Sequence, residues 1–445
     1  MDGKIRVGYG RMDMMPAGPI ELGGLGNGHM RVSENVLDTL MVTCIAVTDQ
    51  QGETVLLLEL DIVKLNDDWA DQMRAMVSEG TGVPVSHIMA AASHSHSAPE
   101  VKPFDQRVER VARFMDRTNE QAVKAAQMAL EDRKNARIYG GITELSGMNY
   151  VRHYWRADGV CVSRGTKDLP VVSHTADADH RLQLVRFARE EGKDILLMNW
   201  QAHPTFTGQS FRKDLSADYI APVRTYMEMM GDCHFVFFQA GGGNLTTGSK
   251  IQSEPSIKDM YQYAKALSDA ALAMLPDLKP LEAGPVKVST RRYEGRINHS
   301  LDHREAEAQD VWDFWRKDGT LANSWPYAQE RGFATPYAAQ GVLIRKAMPI
   351  TQEMEINAIS VGELAIGTMP GEIFDTCAAQ VKDESPFSLT LFFSLVNGYH
   401  DYLPNHHAYS YGCYETTCCY YEEGTCEELA EIAVDMLREL RNKAD

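Results

Sequence analysis

The sequence predicts an α/β protein, one large domain of mixed β-sheets flanked by helices. Three observations predict it. Apolar runs of strand length recur along the chain, stripes of helical period lie between them, and no internal repeat or low-complexity linker divides the 445 residues.

Taken in order, TVLLLEL (54–60) and HIMAAA (87–92) read as strands because short apolar runs end at polar or turn-forming residues. A weaker helical stripe runs through 106–132. DILLMNW (194–200) and HFVFFQ (234–239) are again strands, and 257–275 again carries a helical stripe. VKVSTRRY (286–293) follows as a strand. The segment 302–345 is rich in charge, Trp and Tyr and reads as a helical excursion. ELAIGTM (363–369) and LTLFFSLV (389–396) close the set of strands. Leu429, Ile432, Ala433, Met436, Leu437 and Leu440 then follow the i, i+3, i+4, i+7 rule, which places a helix over 427–443.

Composition excludes several classes of function. With 44% hydrophobic and 24% charged residues the chain is an ordinary globular protein. A net charge of −18 argues against nucleic acid as a partner, because phosphate contacts need clustered Lys and Arg, and against electrostatic attachment to anionic lipid. No apolar run reaches the length of a membrane span; VLLLELDIV (55–63) is broken by Glu59 and Asp61. MDGKIRVGYGRMDMMPAGP has no apolar stretch behind its charges, so a cytoplasmic location is expected, with the eight cysteines reduced. Cys413, Cys418, Cys419 and Cys426 crowd together without a CxxC pair, which favours buried thiols over a metal knuckle.

The chemistry gathers just after the strands. HIMAAA leads to Ser93-His94-Ser95-His96, ILLMNW to His203-Pro204, FVFFQ to the run Gly241-Gly242-Gly243-Asn244, LAIGTM to Pro370-Gly371-Glu372, and LFFSLVNGY to His400-Asp401-Tyr402. In α/β sheets ligands bind beyond the carboxyl ends of strands, where loops converge. His94, His203, Glu372 and Tyr402 could therefore share one site, although a His-x-His pair on a regular strand points to opposite faces. Together they suit zinc with one position left open; alternatively His94 and His96 both ligate, or two metals bind. Other motifs fail. No G-x-S-x-G elbow is present, GGGNLTTGSK has Ser249-Lys250 in the order opposite to a P-loop, and GGLGNG (23–28) follows no strand and reads as a tight turn.

With these residues in hand, the chain resembles the catalytic domain of the neutral/alkaline (non-lysosomal) ceramidases, and most nearly their shorter bacterial members. The resemblance rests on ASHSHSAP (92–99), NWQAHPT (199–205), SADY (216–219), QAGGGNLT (239–246), MPGE (369–372) and GYHDYLP with GCYE (398–415), in the family's order. It implies one Zn²⁺ per chain, held by His94, His203, Glu372 and Tyr402, with His96 as general acid/base. It further implies Arg152 and Tyr414 as groups that stabilise the oxyanion or anchor a substrate carboxylate, and Thr246 in the place of the family's loop serine. Asn244 stands where the family has an acid; Thr246 and Asn244 are expected to line the pocket, and Asp218 either orients a histidine ligand or is an ordinary surface carboxylate. The expected activity is hydrolysis of an amide (N-acyl) bond by metal-bound water, on a small-molecule or lipid-like substrate. The loop changes, together with the lack of an export signal and of a C-terminal β-rich domain, point away from ceramide itself. The alternatives are a zinc enzyme acting on an ester, lactam or glycan-type substrate, or a non-catalytic zinc- or ligand-binding descendant.

Overall fold

A computed structural model describes residues 5–25, 31–101, 108–163, 169–208, 212–317, 319–320 and 323–443. Its main sheet contains β1 (Ile5–Asp13), β2 (Met41–Thr48), β3 (Thr54–Leu60), β4 (Ile88–Ala92), β5 (Lys134–Glu144), β6 (Arg181–Arg189), β7 (Asp194–Trp200) and β8 (Cys233–Gln239). The strand order is β8-β7-β6-β5-β1-β2-β3-β4, and the short β9 (Lys279–Leu281) pairs with β5. Only β3/β4 and β7/β8 are parallel pairs. A second sheet, in sequence order, holds β10 (Val286–Arg296), β11 (Thr351–Val361), β12 (Leu364–Thr368) and β13 (Leu389–Phe393).

The two sheets pack face to face and helices cover their outer faces. In β3, Val55 and Leu57 point to the second sheet, where they share a core with Ile359, Ile366 and Leu391. Leu56, Leu58 and Leu60 point the other way, into a core with α1 (Asp67–Thr81) and α2 (Glu109–Glu131). Burial on both faces explains why this strand is a continuous apolar run and does not alternate. Phe238 and Phe393 stack between the sheets, 4.1 Å apart. The helices α3 (Ile220–Gly231) and α4 (Met260–Met274) cover β6–β8, while α8 (Asp375–Asp383) and α9 (Thr425–Asn442) cover the second sheet. Mixed sheets flanked by helices are therefore what the chain builds.

The last strand expectation ends early. LTLFFSLV leaves the sheet at Phe393, because Leu395 and Asn397 both take φ near +59°. This irregular stretch has a structural task. Ser394 N–H donates to the Gln239 carbonyl at the end of β8, while Leu395 O and Asn397 N–H pair with Ala92 and Ala90 of β4. Residues 394–397 thus join the two opposite edges of the main sheet. The excursion folds as α5 (Glu305–Lys317), α6 (Ser324–Glu330) and α7 (Pro336–Ala347) after a 3₁₀ turn at Asp302–Arg304. Its Trp315, Trp325 and Tyr337 meet edge to face, and Tyr337 Oη reaches the Leu25 carbonyl at 3.4 Å. No helix among the described residues is long and apolar enough to cross a membrane.

Candidate metal centre

Because 394–397 brings β4 beside β8, the ends of five strands meet. His94 follows β4 at φ +71°, a conformation that costs a non-glycine residue energy. The strand has ended there, so the alternation rule no longer applies and both histidines of the pair turn to one centre. His94 Nε2 lies 3.2 Å from His203 Nε2 and 3.1 Å from Glu372 Oε2, and the last two are 3.1 Å apart. His96 Nε2 approaches His94 Nε2 at 3.2 Å. None of these four side chains is more than 6% exposed, so bulk water does not satisfy them.

Hydrogen bonds on the far side of the rings fix two tautomers. His94 Nδ1 donates to Val63 O at 2.8 Å, and His203 Nδ1 to Gly242 O at 2.8 Å and Leu245 O at 3.0 Å. A carbonyl only accepts, so each Nδ1 carries the proton and each Nε2 turns its lone pair inward. Burial and Arg152 hold His203 down at about 4. Burial, then His94, lowers His96 well below the ordinary imidazole range. Three electron-rich atoms about 3.1 Å apart in a dry pocket form a group that could hold a cation, as do His94, His96 and His203. Tetrahedral zinc ligands at about 2.0–2.1 Å from the ion lie about 3.3 Å from one another, so the triangle matches one face of such a polyhedron.

His96 differs from the other two. Its Nδ1 is buried and has no partner among the described residues, so nothing there fixes its tautomer. Its backbone is firmly held: the carbonyl accepts from Arg31, which is itself buried, and the amide donates to Pro204 O.

Tyr402 comes from a two-residue parallel pairing in which it is the register partner of Glu372, so both side chains leave the same side. Its ring lies nearly parallel to that of His203 with centroids 6.5 Å apart, and its Oη accepts from Arg152 Nη2 at 3.0 Å. Burial and the Glu372 charge push the phenol up. Arg152 also donates to Gly243 O at 2.9 Å and through Nε to Glu415 Oε1 at 2.6 Å. Tyr414 packs edge-on against Tyr402 at 5.9 Å and is 38% exposed, the most open side chain of this group. Thr246 is half-buried on a short strand paired with Tyr150–Val151, two residues before Arg152. The glycine run has a packing role: a side chain on Gly243 would collide with the Glu372 backbone.

Two expectations are corrected. Asn244 does not donate into the pocket. Its amide is spent on Asp375 at the start of α8, Nδ2 giving a 2.7 Å bond to Oδ1 and Oδ1 accepting from the backbone N–H. Asp218 orients no histidine; it accepts from the N–H and Oγ1 of Thr207, both at 2.7 Å, and the histidine rings are held by backbone carbonyls instead. GGLGNG is described only to Leu25, with Gly24 at φ +86° packed on the His96 ring and residues 26–28 outside the described residues. The cysteines are free thiols, buried or half-buried, with Cys419 pushed up to about 11 by burial.

Sequence reasoning missed Tyr399, whose Oη donates to Glu372 Oε1 at 2.8 Å. The residue stood within GYHDYLP, but nothing in the sequence showed that Tyr399 reaches the glutamate. Ligand-orienting hydrogen bonds of this kind are worth about 10- to 100-fold in metal affinity. If Glu372 holds a metal ion, Tyr399→Phe is expected to weaken its binding by about that factor while leaving the fold intact, as read by competition with a chelating dye.

No protein-family model matches the sequence, and no curated protein matches it. Solved structures do. Neutral ceramidase from Pseudomonas aeruginosa superimposes with a TM-score of 0.71 at 14% identity, covering 99% of this chain and 75% of that one. A ceramidase complexed with C2 gives 0.72 at 14% identity, covering 99% and 76%. At this identity the likeness is one of architecture, and over 99% of its length the chain has the ceramidase fold.

Proposed function

We propose that the chain is a zinc-dependent amidohydrolase that cleaves a small or moderately lipophilic N-acyl compound. The observation that carries this reading is the buried triangle of His94 Nε2, His203 Nε2 and Glu372 Oε2, with both imidazole lone pairs turned inward. Tyr402 is the fourth ligand in this reading. Zinc bound there supplies Lewis acidity toward the acyl carbonyl and toward water. The fold shared with two proteins named ceramidases supports an amide as the bond attacked.

The chain's own groups divide the remaining work. An amide resists attack because its carbonyl is resonance-stabilised and its amine leaves only when protonated. His96, close to the centre and free of a fixed tautomer, takes a proton from the attacking water and returns it to the leaving nitrogen. Arg152, fixed on Gly243, Tyr402 and Glu415, stabilises the carbonyl oxygen as charge develops on it. Tyr414, open at the rim, contacts the same oxygen or its neighbour. Thr246 contributes to the wall of the pocket and is not the nucleophile.

The test is product analysis. Zinc-loaded protein is incubated with a panel of N-acyl amino acids, acyl amines and ceramides, and free amine is measured. Amine release that stops on chelation and returns with zinc is expected. Cleavage of esters alone, with no amine from any amide, would replace this reading.

A further inference from the structure

We propose that Glu415 positions Arg152, clamping the guanidinium so that it faces the reaction centre; the proposal rests on the amidohydrolase reading above. Glu415 is 1% exposed and bridges two partners. One oxygen accepts from Arg152 Nε at 2.6 Å, and the other from His153 Nε2 at 2.7 Å. His153 is in turn steadied through Nδ1 by the Tyr411 hydroxyl at 3.3 Å. The same Glu415 oxygen also lies 2.6 Å from Nη2, which donates to Gly243 O and Tyr402 Oη, and Nη1 has no hydrogen bond among the described residues. That nitrogen is the donor available to a substrate oxygen.

His153, Cys413 and Glu415 also offer three ligand atoms close together, which raises a second metal site as a rival explanation. The distances argue against it. The imidazole and carboxylate atoms are 2.7 Å apart, a hydrogen-bond length, whereas the contacts at the candidate zinc site are 3.1–3.2 Å. The carboxylate is moreover already paired with a guanidinium, so the cluster is complete without an ion. Its function is then to hold Arg152, a long side chain that would otherwise lose rotamer freedom only on binding substrate.

Glu415→Gln tests this, because the amide presents one donor edge. The amide has no charge to hold the guanidinium, and its NH₂ faces either Arg152 Nε–H, donor against donor, or His153, whose ring must then shift its proton to Nδ1. We expect unchanged zinc content, kcat lowered about 10- to 100-fold and KM changed less than about threefold, as for a weakened transition-state donor. In an Arg152→Lys background, which lacks the fork, Glu415→Gln should cost less than about twofold. Equal losses in both backgrounds would mean a merely structural role and overturn the proposal, as would an unchanged kcat. Should Glu415→Gln not fold, His153→Phe removes the other support and should lower kcat in the same non-additive way. A crystal structure of the Gln variant separates this claim from the proposed activity. Loss of the 3.0 Å Arg152–Tyr402 contact upholds the positioning role even if no amide is cleaved, and an unmoved Arg152 refutes it.

Discussion

His203→Ala is expected to lose the metal and all hydrolysis while keeping the fold. His203 supplies one corner of the triangle, and its Nε2 is within 3.2 Å of both other corners. In the proposed reading, removing it leaves His94, Glu372 and Tyr402, a set expected to lose the ion on dialysis. The fold should survive because the side chain's own anchors are two backbone carbonyls, Gly242 O and Leu245 O, and the truncation costs about 1–3 kcal/mol for acceptors left dry. Metal analysis and circular dichroism of the dialysed variant check the two halves. One equivalent of zinc retained on a native fold would show that His203 is not a ligand.

His96→Ala is expected to behave differently: zinc stays bound and turnover falls about 100- to 10,000-fold, the usual contribution of a general acid/base. The distinction rests on the far side of the ring. Metal-ligating histidines almost always donate their second N–H to a carbonyl or carboxylate, and His94 and His203 donate theirs to backbone carbonyls. His96 makes no such bond among the described residues. A ring that must both accept and return a proton gains from that freedom. The loop itself should hold, since Arg31 and Pro204 fix the His96 backbone rather than its side chain. Loss of zinc from this variant would make His96 a ligand and move the acid/base role elsewhere.

Much of this architecture is legible in the sequence, and the reasons differ residue by residue. TVLLLEL and DILLMNW announce themselves because both faces of those strands are buried, which leaves unbroken apolar runs. KNARIYGGITE escapes notice because the residues of β5 are partly exposed and interrupted by Gly140 and Gly141. His94, His203, Glu372 and Tyr402 stand out because each follows a strand. Their meeting does not, since it depends on residues 394–397 bridging β4 and β8, and no local pattern encodes that. Asn244 and Asp218 show the opposite failure. Their residue types suit a pocket, yet each is consumed by a nearby turn or helix start. Tyr399 and Glu415 were within view, in GYHDYLP and GCYE, but their partners Glu372 and Arg152 are distant in sequence.

The most direct measurement is anomalous diffraction at the zinc edge from crystals of the zinc-loaded protein. A single peak is predicted within about 2.0–2.2 Å of His94 Nε2, His203 Nε2, a Glu372 oxygen and Tyr402 Oη, with His96 beyond bonding distance and one face open to solvent. A peak elsewhere in the chain, or an ion enclosed by protein ligands on every side, would contradict the account.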